Sequence, residues 1–194
     1  MFRGMTIEQA MERTTPAGAF EAARKRLRSG DRLDMVALAK ELGVGRATLY
    51  RWAGDRDQLL ADVIWAELSD VIDYAVSQAP GRGIERIDQS VGTILRVLAN
   101  APMMQSLLAN EGQHGLQLVL APAGLLRPRL VARVTELITH EVTAGHYNPP
   151  AAPGLMADGI VALCERYLHN GGDPTQNPDP VTATTIVGLL LRES

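Results

Sequence analysis

The chain has 194 residues, which is long enough for a small domain joined to a larger one. Hydrophobic residues make up 46% of the chain and charged residues 21%, and this composition excludes wholesale disorder. The net charge of −3 excludes a uniformly basic protein, yet residues 1–57 carry 11 Lys and Arg against 8 Asp and Glu, and residues 58–194 carry 8 against 14. The opening segment MFRGMTIEQAMERTT lacks the apolar stretch of a signal peptide, and no apolar run approaches the roughly 18 residues that a membrane span needs. With Cys164 as the one cysteine, we predict a cytoplasmic protein without disulfides or membrane segments.

Apolar residues recur at helical spacing along the whole chain and strand signals are nearly absent, so we predict an all-α fold. Thr15-Pro16 and the pair Asp55 and Gln58 are typical of helix starts, and Pro80-Gly81 is typical of a helix end. In chain order the predicted helices span about 6–13 (or a frayed arm), 15–29, 34–42, 45–52, 55–79, 83–99, 102–110, 112–120, 127–145, 153–169 and 179–192, with a loop over 170–180.

Residues 35–52, MVALAKELGVGRATLYRW, have the pattern of two short helices joined by a sharp turn. Such a crossing needs a small residue at the contact, a glycine in the turn and apolar residues that face inward. The residues predicted for this inward set are Ala39, Gly43, Val44, Leu49 and Trp52. The residues left to face outward, or to begin the second helix, are Gly45, Arg46, Ala47, Thr48, Tyr50 and Arg51.

The outward side chains suit contact with DNA. Arg46 can donate two hydrogen bonds to guanine, and Thr48 can contact thymine or donate a hydrogen bond. Tyr50 and Arg51 can hold phosphates near the end of the helix. The same pattern also fits an amphipathic helical hairpin inside a larger core. A basic cluster in and just after the helix at 15–29 fits either long-range attraction to the duplex or a solvated face: Arg24, Lys25, Arg26, Arg28 and Arg32.

The stretch GVGRATLYRWAGDRDQLL resembles the recognition helix and following linker of TetR-type bacterial regulators, and the resemblance extends over residues 16–66. It implies a homodimeric, ligand-responsive repressor of palindromic operator DNA, with no cofactor. It further implies a helix-turn-helix DNA-binding domain of three helices at residues 1–57, with a leading arm, and a helical ligand-binding and dimerisation domain at residues 58–194. By position, Arg46, Thr48 and Tyr50 would contact the groove or its phosphates, and Arg56 the DNA backbone.

The second domain is expected to hold a dimer interface and a ligand pocket. In the family the last two helices form the dimer, and the candidate residues here are Met156, Ile160, Leu163, Tyr167, Ile186, Val187 and Leu190. Gly159 and Gly188 are expected to permit close packing of these helices. The candidate pocket residues are Tyr74, Met103, Met104, Leu107, Leu108, His114 and Tyr147. The pattern also resembles the actinobacterial branch that controls quorum-signal degradation, which would imply a lactone-like apolar effector.

Two alternatives stay open at this point. A helical enzyme is disfavoured because no nucleotide-binding, nucleophile-elbow or metal motif is present, and His140-Glu141 with His146 misses the spacing of zinc proteases. We therefore predict no catalytic residues and no metal site. The second alternative is a dimer that binds DNA constitutively. Unlike a ligand-responsive repressor, such a dimer would have no cavity in its second domain. The residues do not distinguish repression from activation.

Overall fold

A computed structural model describes residues 14–101, 124–169 and 179–192. The predicted helices at 6–13, 102–110 and 112–120, and most of the predicted loop at 170–180, lie outside these residues. All regular secondary structure in the described part of the chain is α-helical, and the eight helices there are α1 Pro16–Arg28, α2 Met35–Leu42, α3 Arg46–Ala53, α4 Arg56–Gln78, α5 Ile84–Ala99, α6 Arg127–Thr143, α7 Pro153–His169 and α8 Pro180–Leu190. None of these helices is long and apolar enough to cross a membrane.

The helix starts follow from residues that cap free backbone N–H groups. Thr15 Oγ1 accepts from Gly18 N (3.0 Å), with Pro16 in the first turn of α1. Asp55 accepts from Gln58 N at the start of α4 (2.8 Å). Asp34 and Asp179 cap α2 and α8 in the same way. These bonds confirm the predicted starts at Thr15 and Asp55.

The N-terminal lobe, α1 to α3, shares a hydrophobic core with the first half of α4. Ala23 and Leu27 of α1, Leu38 of α2 and Leu49 of α3 are buried together with Leu60 of α4. The same cluster continues through Ile64 and Leu68 to Leu98 and Leu126 of the larger body. The domain boundary predicted after residue 57 therefore falls in the first turn of a helix that packs against both parts.

The body, α4 to α8, has a second core formed by the inner faces of α5 to α8. Its buried residues include Ile87, Leu95, Ile138, Ile160 and Val187. Helices α6 and α7 pack against each other and are joined by residues 144–152, and α8 packs against both α5 and α7.

A buried carboxylate joins the start of α5 to the end of α6. Glu141 is 1% exposed, and its Oε2 accepts a hydrogen bond from Gly83 N, the residue that caps α5 (2.8 Å). His140 Nδ1 lies 3.1 Å from Oε1 and His146 Nδ1 lies 3.4 Å from Oε2. Burial raises the pKa of Glu141, but the Gly83 N–H, the His140 hydrogen bond and the charge of Arg86 outweigh it, so the pKa is lowered overall.

Candidate nucleic-acid interface and ligand cavity

Helix α3 presents a short polar face to solvent. Arg46, Ala47, Arg51 and Tyr50, the last of which is 47% exposed, point away from the lobe, and Thr48 is half-buried. Leu49, on the opposite side, is fully buried. The structure therefore brings the predicted outward residues together on one exposed face of a helix that is anchored by its apolar face.

The turn before α3 depends on Gly43, which has φ +68° and ends α2. The backbone N–H of its neighbour Val44 donates to Ala39 O (3.0 Å), and Gly43 N donates to Lys40 O (3.2 Å). This pair of hydrogen bonds is typical of a helix that ends at a glycine. Ala39 is buried, and Val44 and Trp52 pack against the lobe core as half-buried residues. All members of the predicted inward set thus lie in the turn or the core. Gly45 caps α3 without a side-chain hydrogen bond.

The guanidinium of Arg56 is engaged within the protein. Arg56 Nε donates to Leu33 O (2.8 Å), and Nη1 lies 3.5 Å from Asp57 Oδ1. These contacts join the first turn of α4 to the connection between α1 and α2. These contacts position Arg56 within the lobe, and its contact with the DNA backbone stays a prediction.

Three arginines of the basic cluster on α1 make ion pairs inside the chain. Arg24 pairs with Glu67 and Asp70 of α4, and Arg28 Nε lies 2.9 Å from Glu67 Oε1. Arg26 Nη2 lies 2.6 Å from Glu41 Oε2 of α2. Their charges are largely matched by local carboxylates, so these three residues hold α1 against its neighbours.

The body contains a cavity of about 320 Å³ between α4, α5, α6 and α7. Its walls are mainly aliphatic: Leu68, Ile72, Val76, Val91, Ile94, Leu95, Leu98, Leu130, Val134, Leu137, Ile160, Val161 and Leu168. The remaining lining residues are Arg86, Arg133, Glu136, His140, Cys164 and Glu165. This volume lies at the lower end of the range for small-molecule sites, and a wall of aliphatic residues with a few polar groups is typical of such sites.

The sequence predicted a ligand pocket in the body, and the two of its seven candidate residues that the structure describes do not line the cavity. Tyr74 is 59% exposed and does not line the cavity. Tyr147 is buried in the second core, where its hydroxyl donates to Leu191 O (2.8 Å), and it also lies away from the cavity. The prediction of these two tyrosines as polar partners therefore differs from the structure. Met103, Met104, Leu107, Leu108 and His114 lie outside the described residues.

Comparison with known proteins decides the family. Residues 82–192, more than half of the chain, match the family model described as "Tetracyclin repressor-like, C-terminal domain". The chain belongs to the TetR family. It is a repressor-like transcriptional regulator, and its family is not enzymatic. Membership of the family implies that the protein forms a homodimer and has operator DNA and an effector as partners.

Two solved structures extend the comparison. The transcriptional repressor QsdR of R. erythropolis, from the TetR family, is 29% identical over 92% of this chain and 96% of its own, with a TM-score of 0.84. The TetR family repressor AlkX of Dietzia sp. strain DQ12-45-1b, implicated in biodegradation of n-alkanes, is 20% identical over 91% of this chain and 94% of its own. Its TM-score of 0.62 supports the shared fold alone. No curated protein matches the sequence significantly.

The last two helices of this TetR-family chain divide their apolar residues between two faces. Met156, Ile160 and Val187 are buried in the chain's own core. The other predicted dimer residues are half-buried: Leu163, Tyr167, Ile186 and Leu190. The most exposed apolar residues of these helices are Leu155 (68%), Val181 (74%) and Leu189 (54%). The predicted stripe was therefore assigned in part to the wrong face, because a helix stripe that packs inside one chain has the same spacing as one that packs on a partner.

Gly159 and Gly188 do permit close packing, but inside the chain. A Cβ at Gly159 would lie 3.6 Å from Leu190 Cδ2, and one at Gly188 would lie 3.2 Å from Asp88 Oδ1. Among the described residues no group of three or more His, Cys, Asp or Glu side chains is arranged to hold a metal ion.

We predict that Cys164 reacts slowly in the native protein. Burial, with the nearby charge of Glu165, raises the pKa of its thiol to about 12. The thiolate is the reactive form, so native Cys164 should react with a chromogenic disulfide at pH 8 at least about 50-fold more slowly than the same protein in guanidinium chloride. Equal rates in the two conditions would show that the thiol is open to reagents and would contradict its burial.

Proposed function

We propose that the chain is a homodimeric repressor that binds palindromic operator DNA through α3 and is released by a small, largely apolar effector bound in the cavity. One observation carries this proposal: the helix α4 packs in the core of the DNA-binding lobe through Leu60 and Ile64, and lines the cavity through Ile72 and Val76. An occupied cavity therefore acts directly on the helix that carries the lobe.

The DNA contacts are proposed for the exposed face of α3. Arg46 in the first turn would read a base edge in the major groove, since its guanidinium can donate two hydrogen bonds to guanine. Thr48 would add a base or phosphate contact, and Tyr50 and Arg51 would hold phosphates. Gly45 and Ala47 lack long side chains, which lets the backbone of the helix approach the groove. Arg56 would support these contacts by holding the first turn of α4 to the connection between α1 and α2, through its hydrogen bond to Leu33 O.

The dimer is proposed to form through the exposed face of the last two helices. Val181, Thr185 and Leu189 recur every four residues on α8 and are all exposed, so they form one stripe. Leu155 adds an exposed leucine at the start of α7. An isologous interface through this stripe would set the spacing of the two α3 helices, which must match successive turns of the duplex.

The effector is proposed to change that spacing by moving α4. Glu67 of α4 pairs with Arg24 of the lobe, and Asp62 Oδ1 of α4 lies 2.8 Å from Arg129 Nη2 of α6. A ligand that favours another position of α4 thus shifts the lobe relative to the body. The similarity to QsdR favours the quorum-signal branch and a lactone-like effector. A regulator of this kind works in the cytoplasm, where operator DNA is found.

The test is selection of bound sequences from a pool of random duplexes, repeated at several salt concentrations. We expect enrichment of a palindrome whose binding weakens as salt rises. Arg46→Ala should then weaken binding to that palindrome by about 1–3 kcal/mol, roughly 5-fold to 150-fold, and leave binding to random DNA nearly unchanged. Gel shifts with both duplexes measure the two effects.

Lys40→Ala is the matched control, because Lys40 is an exposed cation on α2, outside the α3 face. It should change binding to both duplexes by a similar small factor. An equal loss on both duplexes with Arg46→Ala would contradict base reading, and failure to enrich any sequence at low salt would contradict the repressor proposal. A palindrome bound equally tightly whatever apolar compound is added would favour the constitutive dimer.

A further inference from the structure

We propose that the effector enters and leaves the cavity between α4 and α6, past the side chain of Arg133, whose ion pair with Asp73 closes this opening. The inference rests on the proposed function, in which the cavity is the effector site. It adds the route to that site and the pair of residues that controls the rate of passage.

The four helices that line the cavity form a ring with one loose side. In the order α4, α5, α7 and α6, each helix packs closely against the next. The ring would close through α6 and α4, but these two helices are not among the closely packed pairs of the described residues. Their shared side is bridged by side chains, and exposed side chains change conformation far more readily than packed helices separate. This is therefore the side on which a ligand can pass with the least movement of the backbone.

Two ion pairs bridge α4 and α6. Asp62 Oδ1 of α4 lies 2.8 Å from Arg129 Nη2 of α6. Further along α4, away from the DNA-binding lobe, Asp73 pairs with Arg133 of α6. Of these four residues only Arg133 also lines the cavity, and its side chain is 34% exposed. Arg133 therefore separates the cavity from solvent on this side.

An open groove on the surface of α6 adjoins this opening. The groove is lined by Thr135, Glu136, Thr139, His140, Thr143 and Ala144. Glu136 and His140 also line the cavity, so the groove and the cavity meet at these two side chains. Both are well exposed, at 64% and 65%. Because Glu136 lies one helical turn from Arg133, a ligand that follows the groove reaches the cavity beside the Arg133 side chain.

The ion pair that closes the opening can break easily. The side chain of Asp73 is 59% exposed, and an ion pair this exposed contributes little to stability and is screened by salt. Arg133 Nη1 also lies 2.8 Å from Glu136 Oε2, one turn further along the same helix. When Arg133 leaves Asp73, it can therefore keep a carboxylate partner on its own helix. Opening loses one exposed contact and leaves the guanidinium paired at the cavity wall.

The test is stopped-flow binding of Nile red, a neutral dye that fluoresces in apolar surroundings, to the purified full-length protein at pH 8. Asp73→Ala removes the ion pair and leaves every residue that lines the cavity unchanged. We expect the association and dissociation rates to rise together, by about threefold to fivefold, because the pair affects the barrier to passage and not the bound state. The dissociation constant should stay within about twofold of the wild-type value.

Asp70→Ala is the matched control. Asp70 is another exposed carboxylate of α4, but it pairs with Arg24 of the DNA-binding lobe and does not line the cavity. Both rates should be unchanged in this variant. Raising the salt concentration should speed both rates in the wild type, and less so in Asp73→Ala, where the pair that salt screens is already absent.

Rates in Asp73→Ala that equal those of the wild type would overturn the proposed route. A rise in the dissociation rate alone would also overturn it, because Asp73 would then strengthen binding and not control passage. In both cases the proposed function stands if dye binding is lost in Leu137→Trp, which fills the cavity and is checked for folding by circular dichroism. Absence of dye binding to the wild type, or binding that a folded Leu137→Trp protein retains, counts against the cavity as the effector site and so against both proposals.

Discussion

Replacing Leu189 by glutamate is expected to convert the dimer into monomers and to lower operator affinity at least about 100-fold. Leu189 is 54% exposed in the single chain, so glutamate at this position should leave the fold intact. In an isologous interface built on this stripe, each copy of residue 189 would be covered by the partner, and the carboxylate of the glutamate would be buried against apolar surface. Such contacts cost several kcal/mol, and each 1.4 kcal/mol is a factor of about ten in the dissociation constant.

Sedimentation velocity measures the oligomeric state, and gel shifts with the selected palindrome measure the affinity. Val97→Glu is the control, because Val97 is an exposed apolar residue (38%) of α5, beside the end of the cavity nearest the DNA-binding lobe. We expect this variant to remain a dimer with unchanged affinity.

A Leu189→Glu protein that stays dimeric would contradict the proposed interface. The interface would then be sought at the half-buried residues Leu163 and Ile186, which were predicted from the sequence. A monomer that binds the operator as tightly as the wild type would contradict the need for two coupled half-sites.

Local signals made the helices predictable. A capping side chain such as Thr15 or Asp55 acts within three residues, so its effect is visible in the sequence. The turn at Gly43 and the anchor at Leu49 are likewise local, which explains why the exposed face of α3 contains the residues predicted to face outward. Resemblance to a known family then supplied the function that these patterns could only suggest.

Long-range partners were not predictable in the same way. Arg56 has the sequence context of a DNA contact, but its acceptor, Leu33 O, lies 23 residues away in the chain. Tyr147 looked like a polar partner for a ligand until its hydroxyl was found to donate to Leu191 O, 44 residues away. The cavity groups Arg86 and Glu165 have no distinguishing local pattern, because an arginine or glutamate on a helix is most often solvated.

The histidines and glutamate at 140, 141 and 146 show the same limit. Their spacing differs from that of zinc proteases, but spacing alone gave no sign of what Glu141 does. The carboxylate caps α5 from α6 by accepting from Gly83 N, 58 residues away in the chain. A glutamate between Ile138 and Val142, both on the packed side of α6, is the one signal that it is buried.

Gly83→Ala is expected to lower the free energy of unfolding by about 2–4 kcal/mol. Gly83 has φ +57°, a conformation that residues with side chains rarely adopt. A Cβ at this position would lie 2.1 Å from His146 O, a backbone atom, so the start of α5 or the end of α6 must move. Either movement also weakens the hydrogen bond from Gly83 N to Glu141.

Urea denaturation followed by circular dichroism measures the loss. Gly154→Ala is the control, since Gly154 is a glycine in the first turn of α7 whose Cβ would meet no atom within 4 Å. It should be neutral or stabilising by up to about 1 kcal/mol. Equal stability of Gly83→Ala and wild type would show that the approach of Gly83 to His146 is not required.

Glu141→Gln tests the same contact between α5 and α6 with a smaller structural change. Its effect on the free energy of unfolding is expected to depend on pH. The amide can still accept from Gly83 N but lacks the charge that faces Arg86, so we expect a loss of about 1–2 kcal/mol at pH 7. Because the pKa of Glu141 is lowered on folding, its charge contributes stability above its unfolded pKa of about 4.5, and the contribution is lost as the pH falls from there through the folded pKa. The difference between wild type and variant should therefore shrink below about pH 4.5, whereas a constant difference would mean that the loss comes from packing and not from the charge.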